Sequence, residues 1–161
     1  MKKLLGTVAL VGMLVAPGAI AAQTIGGVVG YHDDFEALGI GAYGAIPLPQ
    51  LYENLSINPS FVYYFPDGFD AFEVNGDLVY SFPVSADSPV VPFALAGLNI
   101  MRVSVDAGAF GSGSNTDIGL NLGGGVTFPV EGFTPFAGAK FEIQDGTGFL
   151  IFGGVGFDVG G

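Results

Sequence analysis

The sequence predicts an all-β chain: eight antiparallel strands running up and down and closing into a transmembrane β-barrel. Three observations carry that prediction. Apolar residues recur with a period of two, the composition is too apolar for a water-covered globule, and the charges of the clearest strands share one face. Of 161 residues, 50% are hydrophobic and 12% charged, about half the charged share of ordinary soluble domains. The length allows one domain.

The first segment reads as an export label. Met1-Lys2-Lys3 is a short basic stretch, residues 4–16 are an apolar run, and Pro17-Gly18 breaks any helix. Ala19-Ile20-Ala21 then supplies the small-x-small pattern that a signal peptidase cuts. The apolar run is too short to cross roughly 30 Å of hydrocarbon. Residues 1–21 are therefore expected to be a signal peptide of bacterial character, and 22–161 the barrel domain. No later run reaches the ~18 apolar residues of a membrane helix.

Eight candidate strands follow, separated by Pro, Gly, Asp and Asn. The runs near 24–32 and 37–46 open the series. The third, 55–65, alternates less cleanly. The fourth is the clearest: Phe72, Val74, Gly76, Leu78, Tyr80 and Phe82 oppose Glu73, Asn75, Asp77, Val79 and Ser81. The fifth, 90–105, puts Asn99 on its apolar face, and a bulge near Gly97 would restore the register. The sixth, 116–128, sets Ile118, Leu120, Leu122, Val126 and Phe128 against Asp117, Asn121 and Thr127. The seventh, 133–143, sets Phe133, Ala137, Ala139, Phe141 and Ile143 against Thr134, Lys140 and Glu142. A run near 149–157 closes the set. Helix-period stripes are absent after residue 22, and glycine, at 28 residues, is too frequent for helices. The run Gly123-Gly124-Gly125 has no helix start or Lys after it, so it relieves strand crowding rather than cradling phosphate.

Which face points outward separates two barrels. A lipocalin-like soluble barrel buries its apolar face and covers the other with charge. A membrane barrel turns its apolar face to lipid and keeps polar groups inside. The 12% of charged residues cannot cover a soluble barrel, and strands cross a bilayer only when closure satisfies every backbone group. The membrane barrel is therefore expected. Phe65, Phe72, Tyr80, Phe82, Phe93, Phe128, Phe133, Phe149 and Phe157 lie near strand ends, where aromatic girdles form.

The charge balance removes other functions. Against 15 Asp and Glu stand four Lys and Arg, two of them Lys2 and Lys3. Nucleic-acid binding needs a cationic footprint that this chain lacks. With no cysteine there is no disulfide, thiol nucleophile or thiolate metal site.

The segments resemble the small outer-membrane β-barrel family of Gram-negative bacteria, which includes the OmpA- and OmpX-type barrels and the opacity-like porins. The resemblance runs over 23–157. It is carried by Asn58-Pro59-Ser60-Phe61-Val62-Tyr63-Tyr64-Phe65, Val91-Pro92-Phe93-Ala94-Leu95-Ala96-Gly97 and Gly119-Leu120-Asn121-Leu122-Gly123-Gly124-Gly125-Val126. Pro135-Phe136-Ala137-Gly138-Ala139-Lys140-Phe141 and Gly153-Gly154-Val155-Gly156-Phe157 complete it. It implies insertion in the outer membrane among its lipids. It also implies recognition by the barrel-assembly machinery through a terminal aromatic, here Phe157 followed by Asp158-Val159-Gly160-Gly161.

With both ends in the periplasm, the connections near 47–54, 83–89 and 129–132 are periplasmic turns. Those near 33–36, 66–71, 106–115 and 144–148 face outward, and 108–115 reads as a flexible Gly/Ser connection. The outward rim is acidic: Asp33, Asp34, Glu36, Asp67 and Asp70. One reading is a divalent-cation site bridging anionic headgroups; the other is a solvated rim. Inside, Arg102 and Lys140 are expected to pair with Glu73, Asp77, Asp117 and Glu142, because an unpaired buried charge costs several kcal/mol. Such a network plugs the lumen, whereas the excess of carboxylates favours a narrow, gated, cation-preferring channel. His32, beside Asp33 and Asp34, is the sole base for a lipid-modifying enzyme, and no motif marks a serine nucleophile. The expected function is a monomeric, non-enzymatic barrel with a structural or surface-interaction role and no cofactor.

Overall fold

A chain that alternates in-facing and out-facing side chains buries both sheet edges only by closing on itself, and this chain does so. The computed structural model describes residues 24–159; the segment read as a signal peptide lies outside the described residues. The strands are β1 (Thr24–His32), β2 (Ala37–Pro47), β3 (Leu55–Tyr64), β4 (Asp70–Ser81), β5 (Val91–Asp106), β6 (Ser112–Thr127), β7 (Thr134–Ile143) and β8 (Thr147–Asp158). They form one closed barrel in chain order. It is sealed by antiparallel pairing of β1 with β8, from Thr24 opposite Asp158 to His32 opposite Leu150.

All eight expected strands are present. The shortest has 9 residues, enough for a tilted strand to cross hydrocarbon. Two details differ from the sequence reading. No bulge interrupts β5, which pairs without a break with β4 and β6. Its inward face is itself largely apolar, carrying Phe93, Leu95 and Met101, so Asn99 sits in register on that face. The expected 106–115 connection is also shorter. Its second half pairs with β5 as far as Asp106 opposite Ser112, leaving a short turn over Gly108–Phe110, where Gly108 and, just after the turn, Gly111 take positive φ.

β5 and β6, at 16 residues each, outgrow their neighbours. Pairing with β7 begins only at Leu120, opposite Ile143. Residues 112–119 therefore run past the end of β7 and pair with β5 alone, and beyond Ser104, where β5 leaves β4, the two strands continue as a two-stranded ribbon. Phe110 at its tip is 93% exposed.

The outward face is apolar: Ile25, Leu38, Ile40, Leu98, Ile118, Phe141 and Ile151 are all exposed. The charged side chains Glu73, Asp77, Lys140 and Glu142 are instead buried within the barrel. Along the described strands, the outward-facing positions hold no charged residue except Asp70, Arg102 and Asp106, all toward the end opposite the termini. A soluble barrel needs the reverse arrangement, so the lipocalin-like alternative fails. Aromatic rings gather at both ends of this surface. Tyr52, Tyr80 and Phe82 interact at the terminal end, and Tyr63 with Phe65 and Phe141 with Phe149 at the other. Phe93, expected in a girdle, is turned inward and buried because its strand position shares parity with Asn99.

Candidate functional site

Lys140 on β7 reaches across the lumen to β4, where its Nζ lies 3.0 Å from Glu73 Oε1 and donates to Asn75 Oδ1 at 2.7 Å. The same Nζ stands 3.1 Å from Glu142 Oε1, its neighbour on the inward face of β7. That contact is an ion pair without hydrogen-bond alignment, since Glu142 Oε1 has no hydrogen-bond partner. Glu142 Oε2 meets His32 Nε2 at 2.9 Å, and Tyr64 OH donates to Glu73 Oε2 at 3.1 Å. Every one of these side chains is buried. A charged group is tolerable there only because each has a partner.

An amide chain extends the belt around the wall. Asn121 Nδ2 donates to Asn75 Oδ1 and to Asp77 Oδ1, each at 2.7 Å. Asn99 Nδ2 donates to Asn121 Oδ1, and Gln144 Nε2 to Asn99 Oδ1 at 2.7 Å. Side chains from β1, β3, β4, β5, β6 and β7 thus meet in one connected layer. Glycine makes room for it: a Cβ on Gly123 would collide with the Ala139 carbonyl and the Cα of Lys140.

The layer divides the interior. Toward the terminal end lies a cavity of about 220 Å³ bordered by Lys140, Asn75, Asp77, Phe93 and Phe152. Toward the opposite end lies one of about 230 Å³ bordered by His32, Asp34, Asp117, Glu142 and Asp145.

Of the six residues expected in the ionic network, Glu73, Lys140 and Glu142 form it directly, and Asp77 joins through Asn121. Asp117 faces inward but lines the second cavity, accepting from Asn115 Nδ2 at 2.6 Å rather than pairing with a cation. Arg102 is a correction. It sits on the outward face between exposed Leu98 and the ribbon, and its Nη2 donates to Ser114 Oγ at 3.2 Å. Met101 and Val103 take the inward places. The acidic rim residues Asp33, Asp34, Glu36, Asp67 and Asp70 are all exposed in or beside their turns. Tyr63 OH donates to Asp70. Glu36 takes a left-handed φ of 46°.

Sequence reasoning misses His32, Tyr64 and Asn99 as members of the layer. Their signal is parity: His32 falls opposite Tyr31 and Val29, and Asn99 opposite Leu98.

A closed eight-stranded barrel with an apolar exterior and a polar belt inside has the architecture of a small outer-membrane β-barrel. Solved structures agree. The N-terminal β-barrel domain of Pseudomonas aeruginosa OprF superposes with a TM-score of 0.71 at 17% identity, covering 86% of this chain and 97% of that one. Neisserial surface protein A gives 0.66 at 17% identity, covering 84% and 95%. The outer membrane enzyme PagL gives 0.51 at 13% identity, covering 84% and 99%. No family model matches the chain, and no curated protein matches it in sequence.

Proposed function

We propose that this chain is a closed outer-membrane barrel with a structural or surface-contact role, its lumen plugged rather than conducting. The observation that carries the reading is the Lys140–Glu73 ion pair, which ties opposite walls together between two separate cavities. A permeant ion would have to break buried charge-assisted bonds to pass. The terminal end faces the periplasm, the barrel is monomeric, and its partners are membrane lipids and, during insertion, the assembly machinery.

Fold likeness does not decide between roles, because an enzyme shares this fold. The side chains favour no hydrolase here. Glu142 could orient His32 as an acid orients a catalytic histidine, but the ring is 2% exposed and stacked on Phe35 at 4.4 Å, away from any lipid substrate outside the barrel. No serine is bonded to His32 among the described residues.

The test is planar-bilayer recording of the refolded full chain. Silent membranes that remain silent across the voltage range support the plug. Steady unitary steps in the unaltered protein overturn it and favour the cation-preferring channel, which the acid-lined second cavity recommends. Unchanged lipid A mass on expression in a Gram-negative host argues against the enzyme.

A further inference from the structure

His32 is 2% exposed, and one of its two ring nitrogens has no partner. Glu142, a carboxylate, can only accept, so the 2.9 Å contact places the ring proton on Nε2. Nδ1 is then a buried lone pair with nothing donating to it. Protonated, Nδ1 gains only a long ion pair with Asp33 Oδ1, 3.8 Å away and beyond hydrogen-bond reach, and its N–H stays without an acceptor. A cation between them would give Nδ1 its partner and use a further lone pair of Asp33 Oδ1.

From this arrangement we propose that His32 Nδ1, Asp33 and Asp34 form a binding site for a borderline first-row divalent cation of the Zn²⁺ class. Ligand atoms of the three residues lie within 4.8 Å of one another. Two of the three are already fixed. The His32 ring is clamped by Phe35 and Tyr64, and Asp33 accepts the Phe149 N–H at 2.7 Å. The exposed Asp34 closes the set by a side-chain rotation. Gly148 lets Asp34 come close to the imidazole, since a Cβ there would lie 2.8 Å from both Asp34 Oδ2 and His32 Cε1.

The groups behind the ligands also fit. A metal-bound imidazole commonly donates its other N–H to a carboxylate, which fixes the tautomer and strengthens the ligand, and Glu142 accepts that bond here. A nitrogen in the donor set selects Zn²⁺-class ions over Ca²⁺ and Mg²⁺, which prefer all-oxygen sites. This separates the site from a merely acidic rim, which would take any divalent ion weakly. A fourth position stays open to water.

The experiment is Zn²⁺ titration of the full chain refolded in detergent, with the ¹⁵N shifts of the histidine ring followed in parallel. One ion should bind per barrel and move Nδ1 while leaving Nε2 bonded to Glu142. Asp33→Asn with Asp34→Asn should weaken binding about tenfold or more, and Glu142→Gln by about 10–100-fold. Asp67→Asn with Asp70→Asn should change nothing. Asp33 and Asp34 are exposed, so their double substitution reports even where His32→Gln fails to fold. Binding that Ca²⁺ displaces as readily as Zn²⁺, that falls equally in both double variants, or that shifts Nε2 instead overturns the assignment.

Discussion

The lumen layer and the β5–β6 ribbon are built from the same antiparallel pairing, yet their sequences obey different rules. In the barrel each strand has one face against lipid and one against the interior, so alternation is enforced and every inward polar atom needs a partner. In the ribbon both faces meet water or headgroups, and the run Ser112-Gly113-Ser114-Asn115-Thr116 has no alternation to preserve. Backbone bonds do most of the holding there. Energy is therefore concentrated in the few side chains that cross the lumen, and the ribbon is free to vary.

The largest effect should follow from Lys140→Met. It leaves Glu73 and Glu142 buried without their cation, a loss of about 3–5 kcal/mol. Denaturant unfolding of the refolded barrel, or the temperature at which its unboiled gel form disappears, reads it. Adding Glu73→Gln and Glu142→Gln should recover most of the loss, because removing a whole buried ionic group is often nearly neutral. A single variant as stable as the parent would mean that the layer is wet and replaceable.

Asn121→Leu should come next. It removes both donors to Asn75 and Asp77 and the acceptor for Asn99. One or more of these buried groups is left unsatisfied, at about 1–3 kcal/mol, by the same unfolding measurement. The contrast sharpens with two glycines on one strand. Gly123→Val in the barrel forces its side chain into the Ala139–Lys140 backbone and should cost about 1–3 kcal/mol. Gly113→Val in the ribbon meets nothing within 4 Å and should leave stability unchanged. Equal losses at both would erase the distinction between the two regions.

Much of this architecture is legible in the sequence. Strand number, closure and the inward facing of Glu73, Asp77, Asp117, Lys140 and Glu142 follow from period-two alternation where one face is purely apolar. The signal weakens in β5, whose inward face carries Phe93, Leu95 and Met101 around one Asn99. With apolar residues on both faces, alternation says little, and charge pairing alone draws Arg102 inward. Asn99 holds the correction, since it lies three positions before Arg102 and an odd offset puts them on opposite faces. The amide chain and the His32 lone pair depend on distances across the lumen, which no local pattern encodes.

Arg102 gives the finest test of the difference between lumen and ribbon. On the inward face it would be one of two cations holding the carboxylates, and Arg102→Ala would match Lys140→Met in cost. On the outward face its one side-chain bond is to Ser114, and opposite it on β4 stands Phe72, toward the end of the barrel where a long cationic side chain can extend to the headgroups. Its removal should then change stability by about 0.5 kcal/mol or less. The readable consequence lies elsewhere: the ribbon loses a tie at its base, so amide exchange should quicken at 112–116 and stay unchanged across the lumen layer. Slow exchange in the ribbon together with a large stability loss would return Arg102 to the interior and turn β5 over.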